Sequence, residues 1–367
     1  MALGLSLRWA GLAALALGTL LASCSDDNGA PTGAGGNTAD TGAGNGPNTA
    51  QGPQTSGNGN GTSNNAGSTS GSQSTSSASS GTGGSSPGPY VRFVTFGDAG
   101  KGNQGQVDVA NAIATKCAAD GCDFVQLLGD NIYDDGVSGT DDTQWQSKFE
   151  VPYANVNLPF YVALGNHDYG GDGAGYEFDK GQYSVDYTTI STKWEMPAKY
   201  YVRSQEHVDF FVLDTNMSMY DQDDDQYGDF PTWFSQSTAT WKIAFGHHPY
   251  LSNGPHGNAG EYDGLPFIPI TNGANFKDIM DDVVCGNADV YISGHDHDMQ
   301  WLQGQCGGTE LIVSGAGAAS TELEGSNPTY FESEALGFLY VVIDGNTFTG
   351  QFIGTDGTVL FERTIMK

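Results

Sequence analysis

"LLGDNIYDDG", residues 127–136, is the stretch on which the reading of this chain turns. An apolar run stops at Gly129, and Asp130 and Tyr133 then stand three residues apart in loop-like composition. Tyr133 is either an aromatic packed into the core or an oxygen donor turned, with Asp130, toward a site. Nothing within the ten residues decides between these. The pattern they belong to does.

That pattern recurs along the chain. "VRFVTFGDAG", "DFVQLLGDN", "PFYVALGNHD", "VDFFVLDTN", "WKIAFGHHP" and "DVYISGHDH" are each a short apolar run that breaks off into polar residues, usually with Gly at the break. Runs of this length, rich in Val, Ile and Phe, read as buried strands. Between them lie helical stripes: Ala110, Ile113, Ala114 and Cys117 within 107–117, and Phe276, Ile279, Met280, Val283 and Val284 before Gly286. Strands alternating with helices give an α/β protein with buried sheets. The C-terminal part, "GFLYVVIDGNTFTGQFIGTDGTVLFERTI", reads instead as hairpins with Asp-Gly turns. The mixture predicts layered mixed sheets flanked by helices, with sites at the carboxyl ends of strands.

Residues 1–24, "MALGLSLRWAGLAALALGTLLASC", carry one early cation, Arg8, and an apolar run too short for a permanent span, which reads as an export signal. The ending "LASC" resembles a bacterial lipobox, which implies cleavage before Cys24 and acylation of that cysteine. Each buried methylene of an acyl chain would contribute about 0.8 kcal/mol to anchoring. Ser25, rather than Asp, follows the cysteine, which in lipoproteins points to the outer membrane. The expected location is therefore periplasmic or at the cell surface, anchored by lipid. Residues 25–88 are Gly, Ser, Asn and Thr with almost no large apolar side chains. Such a segment buries too little to offset its ordering entropy. It reads as a tether of roughly 45 Å root-mean-square span. Residues 89–367 then form one catalytic domain, because no linker-like composition reappears within them.

The formal charge is −30 at pH 7, which argues against a nucleic-acid backbone as partner and leaves room for a small anion drawn to a locally positive site. The run "DQDDDQYGD" (221–229) lacks the glycine and distal Glu of an EF-hand and reads as a solvated acidic loop. Beyond Cys24, four cysteines remain in an exported chain and suggest disulfides. Three pairings are possible, and we favour Cys117–Cys122 and Cys285–Cys306.

Six of seven histidines, His167, His247, His248, His256, His295 and His297, lie in or just after strand-end loops. His207, in the polar "SQEHVDFF", reads as a surface residue. In "SGHDHDMQ" an extended backbone would turn His295 and His297 the same way, and neutral imidazole is a good ligand for iron, zinc and manganese. Asp98 and Asp130 each follow a strand and a glycine. Asn166 adds a neutral amide oxygen beside His167.

In this order the elements resemble the calcineurin-like metallophosphoesterases, over roughly residues 91 to 317. Five motifs carry the resemblance: Asp98-Ala-Gly100, Gly129-Asp130-x-x-Tyr133, Gly165-Asn166-His167-Asp168, Gly246-His247 and Gly294-His295-x-His297. Most members have Asp-x-His at the first motif, where this chain has Gly100. The purple acid phosphatases lack that histidine and supply a tyrosine from the second motif, where Tyr133 stands. "SGHDHDMQWLQ", "VSGAG", "YTTISTKWEMPAKYY" (187–201) and His256 in "GPHG" are similar to the small, tartrate-resistant type. The 221–229 region departs from it.

The resemblance implies a four-layer α-β-β-α sandwich, two mixed sheets flanked by helices, and a binuclear centre for phosphate monoester hydrolysis with an acid optimum. It implies iron(III) held by Asp98, Asp130, Tyr133 and His297. A divalent neighbour (Fe2+, Zn2+ or Mn2+) would be held by Asn166, His247 and His295, with Asp130 bridging and a metal-activated hydroxide attacking phosphorus in line. His167 and His256 would stabilise the transition state and protonate the leaving group, with His248 a pocket residue. The rival readings are a phosphodiesterase or nucleotidase on the same scaffold, and a non-catalytic surface-binding lipoprotein. The anchor has a direct check: mass spectrometry of the mature protein is expected to find an acylated Cys24 at its N-terminus, and an unmodified Cys24 or cleavage elsewhere would rule the anchor out.

Overall fold

The computed structural model describes residues 90–264 and 268–367. The leader and the tether lie outside the described residues. Two seven-stranded sheets carry the fold. The first contains β1 (Tyr90–Phe96), β2 (Phe124–Leu128), β3 (Phe160–Ala163) and β4 (Trp194–Glu195), continued by β12 (Gly337–Asp344), β13 (Thr347–Gly354) and β14 (Val359–Met366). Its order is β14-β13-β12-β1-β2-β3-β4. The second contains β5 (Tyr201–Gln205), β6 (Val208–Val212), β7 (Trp241–Phe245), β8 (Val290–Ser293), β9 (Met299–Cys306), β10 (Thr309–Ser314) and β11 (Thr329–Ser333). Its order is β11-β9-β10-β8-β7-β6-β5.

β1 to β4 run parallel, as do β6, β7, β8 and β10. The antiparallel strands β12, β13 and β14 extend the first sheet on one side, and β9 with β11 on one side and β5 on the other extend the second. The β12–β13 and β13–β14 hairpins fall on the Asp-Gly turns read from the sequence, at Asp344-Gly345 and Asp356-Gly357. Aromatic rings join the sheets: Phe93 meets Phe210 edge-on at 5.6 Å and Phe245 at 5.9 Å, and Phe124 meets Phe210 at 5.2 Å. Such pairs add to the burial of their area.

Helices cover the outer faces. Helix α1 (Gln104–Asp120) buries Val109, Ala110, Ala112 and Ile113, and Asn103 caps it by accepting the Gln106 N–H. The short α2 (Lys180–Tyr187) and α3 (Thr215–Met219) follow. Against the second sheet, α4 (Asp224–Gln236) brings Phe230 and Phe234 onto Phe211. After α5 (Pro269–Asn272), α6 (Ala274–Ile279) continues into a wider turn over Met280–Val284. Phe276, Ile279, Met280, Val283 and Val284 are all buried, as their spacing requires. No helix among the described residues is long and apolar enough to cross a membrane.

Disulfides join Cys117 to Cys122 and Cys285 to Cys306, the favoured pairing. Two local readings change. The run 221–229 is no open loop: from Asp224 it is the start of α4, and Gln226 is buried, accepting the Asp214 N–H and donating to the Asp214 carbonyl. Acidic side chains suit a helix N-terminus, where they meet the positive end of the backbone dipole. His207 is half-buried in the β5–β6 turn, with both ring nitrogens shielded from solvent and unbonded. Its carbonyl accepts the Trp241 N–H, which ties the β5–β6 turn to β7.

Candidate metal centre

The parallel strands deliver their carboxyl ends to one edge. Asp98 follows β1, Asp130 and Tyr133 follow β2, Asn166 and His167 follow β3, His247 follows β7, and His295 and His297 follow β8. Asp98, Asp130 and His295 hold φ values of 59°, 52° and 72°. Left-handed backbone at non-glycine residues is costly and collects at functional sites. The crowding leaves no room for a side chain at Gly165, whose Cβ would lie 2.2 Å from Asp130 Oδ1.

All seven metal candidates converge, in two linked groups. In the first, the Tyr133 hydroxyl stands 3.1 Å from Asp98 Oδ1 and 2.9 Å from His297 Nε2. In the second, His247 Nε2 stands 2.9 Å from Asn166 Oδ1, 3.0 Å from His295 Nδ1 and 3.4 Å from Asp130 Oδ1. Ligand atoms of Asp98, Asp130 and His247 all lie within 4.8 Å of one another, joining the groups. Tyr133 is therefore buried, but its oxygen faces polar donors and not the core.

The donor chemistry fits cations. His247 Nδ1 donates to the Leu128 carbonyl at 2.9 Å, which aims Nε2 into the site. Asn166 Nδ2 donates to the Gly173 carbonyl at 2.7 Å, which aims its oxygen there too. Nε2 and the amide oxygen then face one another across about 3 Å, an arrangement that needs positive charge between them, either a proton on His247 or a cation. Two carboxylates and a phenol oxygen suit hard ions, and three imidazoles with an amide suit borderline divalent ones.

The protonation tendencies carry the same message. Burial drives the Asp98 carboxyl well above its usual range; His247 opposes this and Asp130 reinforces it. Burial also pushes Asp130 up, but the His247 and His167 charges and their bonds outweigh it and hold Asp130 far below that range. For His247 burial works downward, yet Asp130 and Asp98 lift it to about 9. Burial, then the Asp130 and Asp98 charges, raise the Tyr133 phenol far above its usual value. With protons alone, the shifts favour an ionised Asp130 beside a charged His247 and oppose ionisation of Asp98 and Tyr133. A cation pair would replace those protons.

His167 and His256 flank the donors. The His167 ring lies 4.3 Å from that of Tyr133, with Nδ1 at 2.5 Å from the Asp134 carbonyl and its backbone N–H on Asp130 Oδ1 at 2.9 Å. His256 stacks on His295 at 4.1 Å, and its Nδ1 meets Asp263 Oδ1 at 2.9 Å. The His248 ring packs 5.0 Å from that of His247 and 4.5 Å from that of His295. It is buried behind His295, bonded through Nδ1 to Thr215 Oγ1 at 2.9 Å, and burial followed by the His247 charge keeps it neutral.

Sequence reasoning missed the residues that hold the loops. Asp168 accepts from the backbone of Gly165, Asn131 and Ile132, tying two donor loops together. Thr215 Oγ1 accepts the N–H of both His247 and His248 at 3.1 Å. Asp296 accepts from Ser252 and the His256 N–H. Asp168 and Asp296 stood inside the motifs as read; Thr215 and Asp263 carried no spacing signal. Gly100 explains the missing first-motif ligand. Its N–H donates to Asp130 O at 3.2 Å and its carbonyl accepts the Tyr133 N–H at 3.0 Å. A Cβ there would lie 1.9 Å from Asn131 O, so the tyrosine-bearing loop fills the space a residue-100 side chain would need.

Residues 91–299 match the family model described as calcineurin-like phosphoesterase. The chain is 28% identical over 324 residues to tartrate-resistant acid phosphatase type 5 of Rattus norvegicus, covering 77% of this chain and 92% of that protein. It is 28% identical to purple acid phosphatase 3 of Arabidopsis thaliana over 70% of each chain. Purple acid phosphatase 7 of Arabidopsis thaliana is 32% identical, over 62% of this chain and 70% of that one. Among solved structures, GAP50, titled the anchor in the inner membrane complex of Plasmodium, shares the fold with a TM-score of 0.59 at 21% identity, covering 76% of this chain and 89% of that one.

The contact at Gly100 makes a prediction. Gly100→Ala should destabilise the protein by about 3 kcal/mol through overpacking against backbone and remove activity, as read by denaturant unfolding and assay. A variant with native stability would show that the Tyr133 loop does not pack as described.

Proposed function

The chain belongs to the calcineurin-like phosphoesterases, which hydrolyse phosphoesters at a metal centre, and from that premise we propose that it is an acid phosphatase acting on small phosphate monoesters. Asp98, Asp130, Tyr133 and His297 would hold iron(III), and Asn166, His247 and His295 a divalent ion (Fe2+, Zn2+ or Mn2+), with Asp130 bridging. The observation that carries this reading is the Tyr133 hydroxyl standing 3.1 Å from Asp98 and 2.9 Å from His297. A phenolate so placed is a hard anionic ligand and favours the trivalent ion. The protein would be exported and held at the membrane by lipid on Cys24, with residues 25–88 as the tether.

When bound, the cation pair neutralises the phosphate and lowers the pKa of water at the site. The chain's own residues supply the rest. His167 is fixed through Nδ1–H on the Asp134 carbonyl, and in its imidazolium form Nε2–H would donate to a phosphate oxygen. His256 would protonate the leaving alkoxide. Burial pushes its pKa down, but the Asp263 hydrogen bond and the Asp296 and Asp263 charges outweigh this and raise it. The imidazolium therefore persists to higher pH than in an unpaired histidine, as a general acid requires.

Two measurements test the proposal. The native protein should contain iron with a second metal and show a visible charge-transfer band, which Tyr133→Phe should abolish while weakening iron retention. A coloured, fully active variant would overturn the ligand assignment. Asp263→Asn should lower the pKa of His256, so the alkaline limb of kcat/KM moves to lower pH for alkyl phosphates. Aryl phosphates, whose leaving groups need less protonation, should change little. An equal shift for both substrate classes, or none for either, would remove His256 as the acid.

A further inference from the structure

The Tyr133 ring has a cation over it. Lys101 Nζ lies 4.3 Å from the ring centroid. Its position is set by the backbone that sets Tyr133, since the preceding Gly100 exchanges hydrogen bonds with Asp130 and Tyr133, and the Lys101 N–H donates to Ala99 O at 3.0 Å. Lys148 acts on the same residue from the backbone side, donating to the Tyr133 carbonyl and to Gln144 Oε1 at 2.9 Å. One ammonium thus steadies the peptide, and the other sits on the π face.

The oxygen end of the ring explains what that charge does. The phenol oxygen stands 3.1 Å from Asp98 Oδ1, and Asp130 lies in the same cluster as Asp98. A phenolate beside two carboxylates is a high-energy donor. A positive charge held near the negative face of the ring offsets part of that repulsion, and it does so without occupying a coordination position.

We propose that Lys101 is a positioning residue for the Tyr133 phenolate: its ammonium stabilises the anionic ring and lowers the energy of the electrons Tyr133 offers to iron. The inference rests on the reading of Tyr133 as an iron ligand. The sign follows from where charge moves on excitation. In the ground state the ring is negative and feels the cation; after charge transfer to the metal the ring is neutral and does not. Lys101 therefore widens the gap, and removing it narrows the gap.

The test compares iron-loaded native protein with Lys101→Met, Lys101→Gln and Lys101→Arg. The Met and Gln variants should absorb at longer wavelength and hold iron against a chelator at least as well as the native protein. The Arg variant, which keeps the charge, should resemble the native protein in both. A band that stays in place in the Met and Gln variants overturns the inference. So does an unmoved band with a several-fold rise in KM, which would assign Lys101 to the substrate phosphate. A red shift in the Arg variant equal to that of Met also overturns it, because packing and not charge would then be responsible. If iron-loaded native protein is colourless, the tyrosine assignment itself falls, and that result is distinct from a coloured protein whose band ignores Lys101.

Discussion

The structure depends on an arrangement that is unfavourable without positive charge in it: ligating oxygens and nitrogens crowded toward one another at the ends of the strands. His247 Nε2 faces Asn166 Oδ1, His295 Nδ1 and Asp130 Oδ1 within 3.4 Å, and Tyr133 is crowded against Asp98 and His297. Buried acceptors without donors cost free energy individually. A chain that gathers seven such groups from five loops must either fill the cluster with protons or place cations in it. The opposite shifts of Asp98 and Asp130, two carboxyls of one cluster, reflect that competition.

Holding the groups there is the work of the whole fold. Parallel strands in two sheets end at a common edge, and the aromatic seam of Phe93, Phe124, Phe210 and Phe245 fixes one sheet against the other. The loops are then cross-tied. Asp168 binds the β2 loop to the β3 loop, and Thr215 binds the turn after β7 to the start of α3. Precision of this kind is expected where donors must be held to fractions of an ångström. It also accounts for strain at Asp98, Asp130 and His295, which the surrounding bonds compensate.

Much of this was legible in the sequence because strand-end loops advertise themselves. An apolar run that breaks into Gly and a polar donor says both where the strand stops and which side chain leaves the sheet. The loops that carry the donor residues were read on those grounds, the family resemblance added Tyr133 and the roles, and the disulfide pairs were favoured from the even cysteine count. What was missed has a physical reason in each case. Thr215 and Asp263 act through single hydrogen bonds across space, which leave no periodicity. The acidic run at 221–229 was read by charge alone, and charge does not distinguish a solvated loop from a helix start that favours the same residues. His207 looked exposed because its neighbours are polar, but a tight turn tied to β7 by one backbone bond shields its ring.

The charge distribution bears on what the site can accept. The chain carries a formal charge of −30, and acidic side chains such as Asp134, Asp135, Asp172 and Asp263 stand on the loops around the donors. An extended polyanion would meet that exterior before reaching the cluster and be repelled along its length. A compact phosphate monoester presents its charge at one end. With the proposed cations in place and His256 protonated, only the innermost surface is positive, so attraction begins where the phosphate alone fits. On the proposed reading, acidic loops and a cation-filled floor would act in one direction: they would favour small phosphate esters over nucleic-acid backbones through the sign of the charge.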